Sequence, residues 1–159
     1  MKRFITLLLI LLTSGCAATG PLFRAAPEPG QAESLVYIYR PSSFFLGGRD
    51  AYFYVNDVSV VNLSSAGYTW FHIPAGEYTL RQEWPFDIYL GRSIREIEAK
   101  WTLRGKYFYR LRPLAGRDGV SWLLTEVAPE YAIEEISACK LQSPSGIEKL
   151  LRQRQIAGE

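Results

Sequence analysis

Glu96 and Glu98 stand two residues apart in a run whose alternation reads as a β-strand, which sets both carboxylates on one face. Paired carboxylates are the equipment of acid-base hydrolysis. Arg110 and Arg112 occupy the next strand-like run. If Leu103 to Gly105 is a three-residue hairpin loop, Glu98 faces Arg110 and Glu96 faces Arg112, while Trp101 meets Tyr107 and Ala99 meets Tyr109 on the other face. Ion pairing then accounts for the acids without catalysis. His72 is the single histidine, and any Ser-His-Asp triad must use it, yet no Gly-x-Ser-x-Gly elbow accompanies it. A strand-end histidine with a hydrogen-bond partner is the simpler reading. One histidine and two cysteines leave no room for a metal site built from several such ligands, and no glycine-rich phosphate loop or EF-hand occurs. No cofactor, no metal and no enzymatic reaction are therefore expected.

Cys16 carries a different chemistry. It follows Lys2-Arg3, the apolar run Phe4 to Leu12, and the small residues Thr13-Ser14-Gly15. That run is far below the roughly 18 residues needed to span a bilayer and fits the core of a cleaved export signal. Thr13-Ser14-Gly15-Cys16 resembles the lipobox of bacterial lipoproteins, with Thr13 where leucine is usual. The resemblance implies cleavage before Cys16, a diacylglycerol thioether on its sulfur and an acyl chain such as palmitate on its new amine. Ala17, where aspartate would retain a lipoprotein at the inner membrane, implies the outer membrane, with the protein facing the periplasm. Removing Lys2 and Arg3 from the 18 cations leaves as many as the 16 acids, so the mature chain is neutral and nucleic acid is not an expected partner.

The elements that must position these residues follow from composition. Residues 16–33 are rich in Ala, Pro, Gly and Thr and read as a lipidated tether of about 20 to 25 Å. A body spanning 34–127 then alternates short β-rich runs with turn signals. Eight strands are predicted: Leu35 to Arg40, Ala51 to Val55, Val58 to Leu63, Tyr68 to Ile73, Glu77 to Trp84, Ser93 to Thr102, Lys106 to Leu114 and Ser121 to Val127. The fold class is mainly β, an antiparallel β-sandwich of seven or eight strands in the transthyretin-like or immunoglobulin-like manner. Residues 128–159 form a helical segment. Its first helix runs from Pro129 to Lys140 with Ala132, Ile133, Ile136 and Cys139 on one face. The second begins at Ser145, in a capping-box pattern with Glu148, and carries Ile147, Leu150, Leu151 and Arg154. Cys139, the odd cysteine once Cys16 is acylated, is expected buried and reduced.

Strand counting divides the connections. The tight turns at Asn56-Asp57, Pro74 to Gly76 and Leu103 to Gly105 fall at one end, and the long connections 41–50, 64–67, 85–92 and 115–120 at the other. Strand one starts at the tight-turn end, so the tether is expected to enter there and the long loops to point away from the membrane. Those loops and their edges hold Arg40, Phe44, Phe45, Arg49, Phe86, Tyr89, Arg92 and Arg117. Aromatics and arginines are the types enriched at interface hot spots, so these residues are the expected partner-binding set. Phe44-Phe45-Leu46 and the aromatics of Pro85 to Leu90 either fold back over the sandwich end or form a contact surface. Eight cations between Arg92 and Arg117 either meet an anionic surface or line one solvated sheet face.

Val36-Tyr37-Ile38-Tyr39-Arg40-Pro41-Ser42-Ser43-Phe44-Phe45, then Gly47-Gly48, Tyr54-Val55-Asn56, Gly67-Tyr68 and Pro74-Ala75-Gly76-Glu77-Tyr78 together resemble a family of small bacterial lipoproteins, the domain of unknown function 2846. The resemblance implies a lipid-anchored β-sandwich and supplies no activity. The expected function is a non-catalytic envelope lipoprotein, anchored in the membrane through Cys16, that binds another envelope protein. The alternative is a module for glycan, peptidoglycan or a small ligand, and an enzyme is the weakest reading.

Overall fold

The computed structural model describes residues 18–84, 94–117 and 119–157. Nine strands and two helices follow one another: β1 (Glu33–Arg40), β2 (Ala51–Val55), β3 (Val58–Leu63), β4 (Gly67–Pro74), β5 (Gly76–Glu83), β6 (Ile94–Trp101), β7 (Lys106–Gly116), β8 (Gly119–Glu126), α1 (Pro129–Ile136), β9 (Lys140–Leu141) and α2 (Ile147–Ala157). They build a β-sandwich of a five-stranded sheet, β8-β7-β1-β4-β9, and a four-stranded sheet, β3-β2-β5-β6. Val36 and Ile38 face the interior with Phe53, Leu80, Trp101 and Leu111. Leu35, Tyr37 and Tyr39 face a second apolar layer with Phe108, Ala132 and Ile136. Both faces of β1 are covered, and its unbroken apolar run reflects that.

The Asn56-Asp57 turn joins β2 to β3 as expected, with φ of 44° and 63°, the double left-handed geometry of a type I′ turn. The other two tight turns do not make hairpins. Leu103 to Gly105 carries the chain from β6 in one sheet to β7 in the other, and Pro74 to Gly76 does the same from β4 to β5. The expected register between Glu96, Glu98 and Arg110, Arg112 is therefore wrong. Strand β6 pairs with β5, setting Glu96 beside Arg81 and Lys100 beside Glu77. Arg110 instead reaches Glu135 on α1 at 2.5 Å. Trp101 does approach Tyr107 and Tyr109, but across the sandwich interior, its indole N–H donating to the Tyr109 hydroxyl at 2.9 Å. Strand direction does alternate along the chain from β1 to β8, as expected, but within the five-stranded sheet two neighbouring pairs are parallel, β1 with β7 and β4 with β9.

Helix α1 is shorter than expected: it stops at Ile136, leaves Cys139 in the following turn and exposes Ile133. The capping box does not form, since Ser145 gives its backbone N–H to Val60 O at 2.7 Å and its hydroxyl to the same carbonyl, and Gly146, at φ 72°, opens α2. Leu150 of α2 enters the core, and Arg154 sits over the Tyr78 ring.

Candidate functional site

The three tight turns do share one end of the sandwich, and the 41–50 loop, the 64–67 turn, the outer ends of β5 and β6 and the β7–β8 hairpin share the other. At that second end the chain turns on Arg40. Its Cβ faces neither solvent nor partner: the residue is 0% exposed. The guanidinium donates to Arg49 O at 2.5 Å, Leu46 O at 2.6 Å and Leu63 O at 3.4 Å. Its centre lies 4.9 Å from the Trp84 ring and 5.3 Å from the Trp122 ring, which are themselves 4.7 Å apart. Burial pulls its pKa down to about 10, the Asp50 charge opposing, so the group stays cationic at neutral pH. Arg40 thus leaves the expected partner-binding set. It is a bolt under the 41–50 loop, and sequence reasoning missed both tryptophans against which it packs.

Above that bolt the loop is shaped by local bonds. Gly47 N–H donates to Phe44 O, Arg49 N–H to Leu46 O and Phe45 N–H to the Ser43 hydroxyl, while Leu46 adopts φ 50°. Leu46 folds inward onto the core. Phe44 and Phe45 therefore project outward, 98% and 49% exposed, with ring centroids 6.2 Å apart in an edge-on pair. Of the two alternatives for this trio, Leu46 takes the fold-back and the phenylalanines form a surface. Arg49 and Arg117 are exposed at the same end, with Leu114 beside the hairpin tip. Phe86, Tyr89 and Arg92 lie outside the described residues.

The expected tether is the largest correction. Ala18 is 3% exposed, and its amide donates to Ser65 O at 3.2 Å, at the long-loop end. From there the segment crosses the outer face of the five-stranded sheet toward β1. Leu22 bridges Lys140, and Phe23 packs against Tyr37 and Tyr68 at centroid distances of 6.0 and 5.3 Å. The Arg24 amide donates to the Tyr68 hydroxyl and that of Ala26 to the Tyr37 hydroxyl. Residues 18–32 are a docked strap, and the chain enters the fold at the long-loop end, opposite to expectation. The physical reason is that an extended segment rich in Pro and Ala binds a flat aromatic face with only one bridge to a strand, Leu22 to Lys140, so its composition imitates coil.

The remaining chemical candidates are engaged. His72 Nε2 lies 3.0 Å from Pro27 O on the strap. Glu98 accepts from the Thr79 hydroxyl at 3.1 Å. Glu96 shares a shallow polar depression with Asn56, Asp57, Thr79 and Arg81, where Arg81 pairs with Asp57 at 2.8 Å and with Glu83. The cations expected as one patch are dispersed: Lys106 bonds Glu28, Lys100 bonds Glu77, Arg110 bonds Glu135, and Arg95 donates to Trp122 O. Among the described residues no cluster of three or more His, Cys, Asp or Glu converges, and no helix is long and apolar enough to cross a membrane.

Cys139 is buried, with Sγ 3.9 Å from the carbonyls of Arg40 and Glu135. Burial, with the Glu135 charge adding, raises its pKa to about 11. At pH 8 only roughly a thousandth of it is thiolate, the reactive form. Alkylation of the native protein at pH 8 should be at least about a hundredfold slower than in denaturant, read by mass spectrometry; equal rates would show that this turn opens freely.

Comparison with protein-family profiles, curated proteins and solved structures finds no match. The class of protein is thus defined by the fold itself: a two-sheet β-sandwich with an N-terminal strap and two C-terminal helices.

Proposed function

We propose that the chain is a non-catalytic lipoprotein of the bacterial envelope, held in a membrane by acylated Cys16, whose sandwich serves as an interaction module for another envelope protein. The reading rests on the order of the leader, charged start, short apolar run, small residues and cysteine. One structural observation strengthens it. Ala18, the second residue after Cys16, is already buried and gives its amide to Ser65 O, so little chain separates the candidate cleavage point from the packed body. Three acyl chains, at about 0.8 kcal/mol per buried methylene, exceed the two-signal requirement for stable anchoring. Ala17 supports the outer membrane as destination.

The mature N-terminal peptide should carry diacylglycerol and an amide-linked acyl chain on Cys16 in mass spectrometry, and Cys16→Ser should move the protein from the carbonate-resistant membrane fraction to the soluble one. An unmodified cysteine overturns the reading. Crosslinking in intact envelopes followed by capture should recover a protein partner. Recovery on purified sacculi in its place would favour the glycan-binding alternative, for which the exposed Phe44 and Phe45 rings are the supporting observation.

A further inference from the structure

We propose that the long-loop end of the sandwich is a membrane-contact surface, with Phe44 and Phe45 inserting among phospholipid head groups and Arg117, at the same end, meeting lipid phosphate. This rests on the lipid anchor proposed above. The first observation is where the chain leaves the fold. Cys16 precedes Ala18 by two residues, so its Cα lies within about 7 Å of the point where the Ala18 amide meets Ser65 O. Ser65 also accepts, through its side chain, the amide of Ser43, so the departure point and the 41–50 loop share a hydrogen-bonded corner. An acylated cysteine sits at the polar boundary of the bilayer, a layer about 5 to 7 Å deep on each side. A linkage this short leaves the long-loop end no other surface to face.

The second observation is what that end displays. Two adjacent phenylalanines are 98% and 49% exposed, and Leu46 takes the inward position in the loop. Exposed Leu114 and Arg117 stand at the β7–β8 hairpin, which continues past the last residue of β1 at the same end. Apolar rings flanked by cations are the composition of an interfacial contact with anionic lipid. The tight turns at the other end carry no aromatic residue. That end lies an eight-residue strand away, about 26 Å, and places Leu103, Arg104 and the paired Lys100 and Glu77 toward the aqueous side.

The test uses the full-length, acylated mature protein reconstituted into vesicles of phosphatidylethanolamine and phosphatidylglycerol. A nitrobenzoxadiazole probe is placed on Phe44→Cys in one sample and on Leu103→Cys in another; both side chains are exposed, and Cys139 is buried and slow to react. Lipids spin-labelled near the head group should quench the probe at position 44 roughly threefold or more over the probe at 103, with a blue-shifted emission at 44 alone. Co-flotation with equal quenching at both sites, or stronger quenching at 103, overturns the orientation and leaves the exposed phenylalanines for a protein partner. Failure of the protein to co-float overturns the anchor, and the orientation with it. Arg117→Glu should reduce the quenching at 44 more in phosphatidylglycerol vesicles than in zwitterionic ones, whose phosphates are offset by ammonium groups; unchanged quenching in both would remove lipid phosphate from the proposal.

Discussion

Arg40→Ala should lower stability by about 3 to 5 kcal/mol, a fall in melting temperature of roughly 10 to 15 °C for a chain of this size. The substitution strips the donor from three carbonyls, Leu46 O, Arg49 O and Leu63 O, and leaves a void beside the contacting rings of Trp84 and Trp122. Each buried carbonyl left without a donor costs about 1 to 3 kcal/mol, partly offset because a buried cation no longer has to be desolvated. Arg40→Lys keeps the charge but offers a compact ammonium where a planar fork reaches two loop carbonyls and packs against two rings, so it should recover less than half of the loss. The pH dependence discriminates further. The folded-state pKa, about 10, lies below the ordinary 12.5, so the unfolded chain binds more protons only above pH 10, where wild-type stability gains from this group as pH rises. Between pH 5 and 8 Arg40 is charged in both states, and the difference between wild type and Arg40→Ala should be flat. Denaturant unfolding across that range checks it, with a constant slope against denaturant confirming that the fold is retained. A loss below about 1 kcal/mol would mean that the loop is held by other bonds.

That residue also marks where reading the chain ended and three-dimensional packing began. Arginine is seldom fully buried, so Arg40 beside an aromatic loop read as a contact residue. What buries it is a pair of tryptophans, Trp84 and Trp122, 38 residues apart in sequence and brought together only when the two sheets close. The strands themselves were legible, because period-two alternation in β2 and β6 depends only on one face being buried. Asn56-Asp57 was legible for the same local reason, since both residues tolerate positive φ. The inter-sheet turns were not. A glycine after two other residues fits a hairpin and an arch equally, and on β5 Glu96 finds a basic partner in Arg81 and Glu98 a hydroxyl donor in Thr79, so the acids of β6 did not require β7. Non-local pairing decided between them, through Trp101 seeking Tyr78 and Tyr109 inside the sandwich. The two phenylalanines were identified as loop residues, but their direction depends on φ 50° at Leu46, which nothing in the residue type announces.

Gly20→Ala should release the strap. A Cβ at Gly20 would stand 1.9 Å from Leu141 O and 2.9 Å from Leu141 C, both backbone atoms of β9, and neither can move aside like a flexible side chain. The strap must lift, and with it go the bonds of Ala18 to Ser65 and of Leu141 to Pro21, and the seat of Phe23 between Tyr37 and Tyr68. The expected cost is about 2 to 4 kcal/mol, bounded by the docking energy of the segment because the sandwich can stay folded without it. Hydrogen exchange reads the event directly: the Arg24 and Ala26 amides, held by tyrosine hydroxyls, should lose protection while the β1 and β4 amides keep theirs. Phe23→Ala alone should cost about 1 to 3 kcal/mol and should add almost nothing on top of Gly20→Ala, since both remove one docking event. Additive losses would mean that the strap stays seated and the clash is relieved locally. Gly48→Ala, where a Cβ meets nothing within 4 Å, should be neutral and serves as the control. The same variant reaches function. With the strap docked, the anchor leaves within about 7 Å of the long-loop end. With it undocked, fifteen residues from Ala18 to Ala32 become a flexible leash averaging about 20 Å, long enough for either end to turn toward the bilayer. Gly20→Ala protein should therefore remain membrane-bound and lose the difference in lipid quenching between positions 44 and 103, which separates what the lipid does, holding the protein, from what the strap does, aiming it.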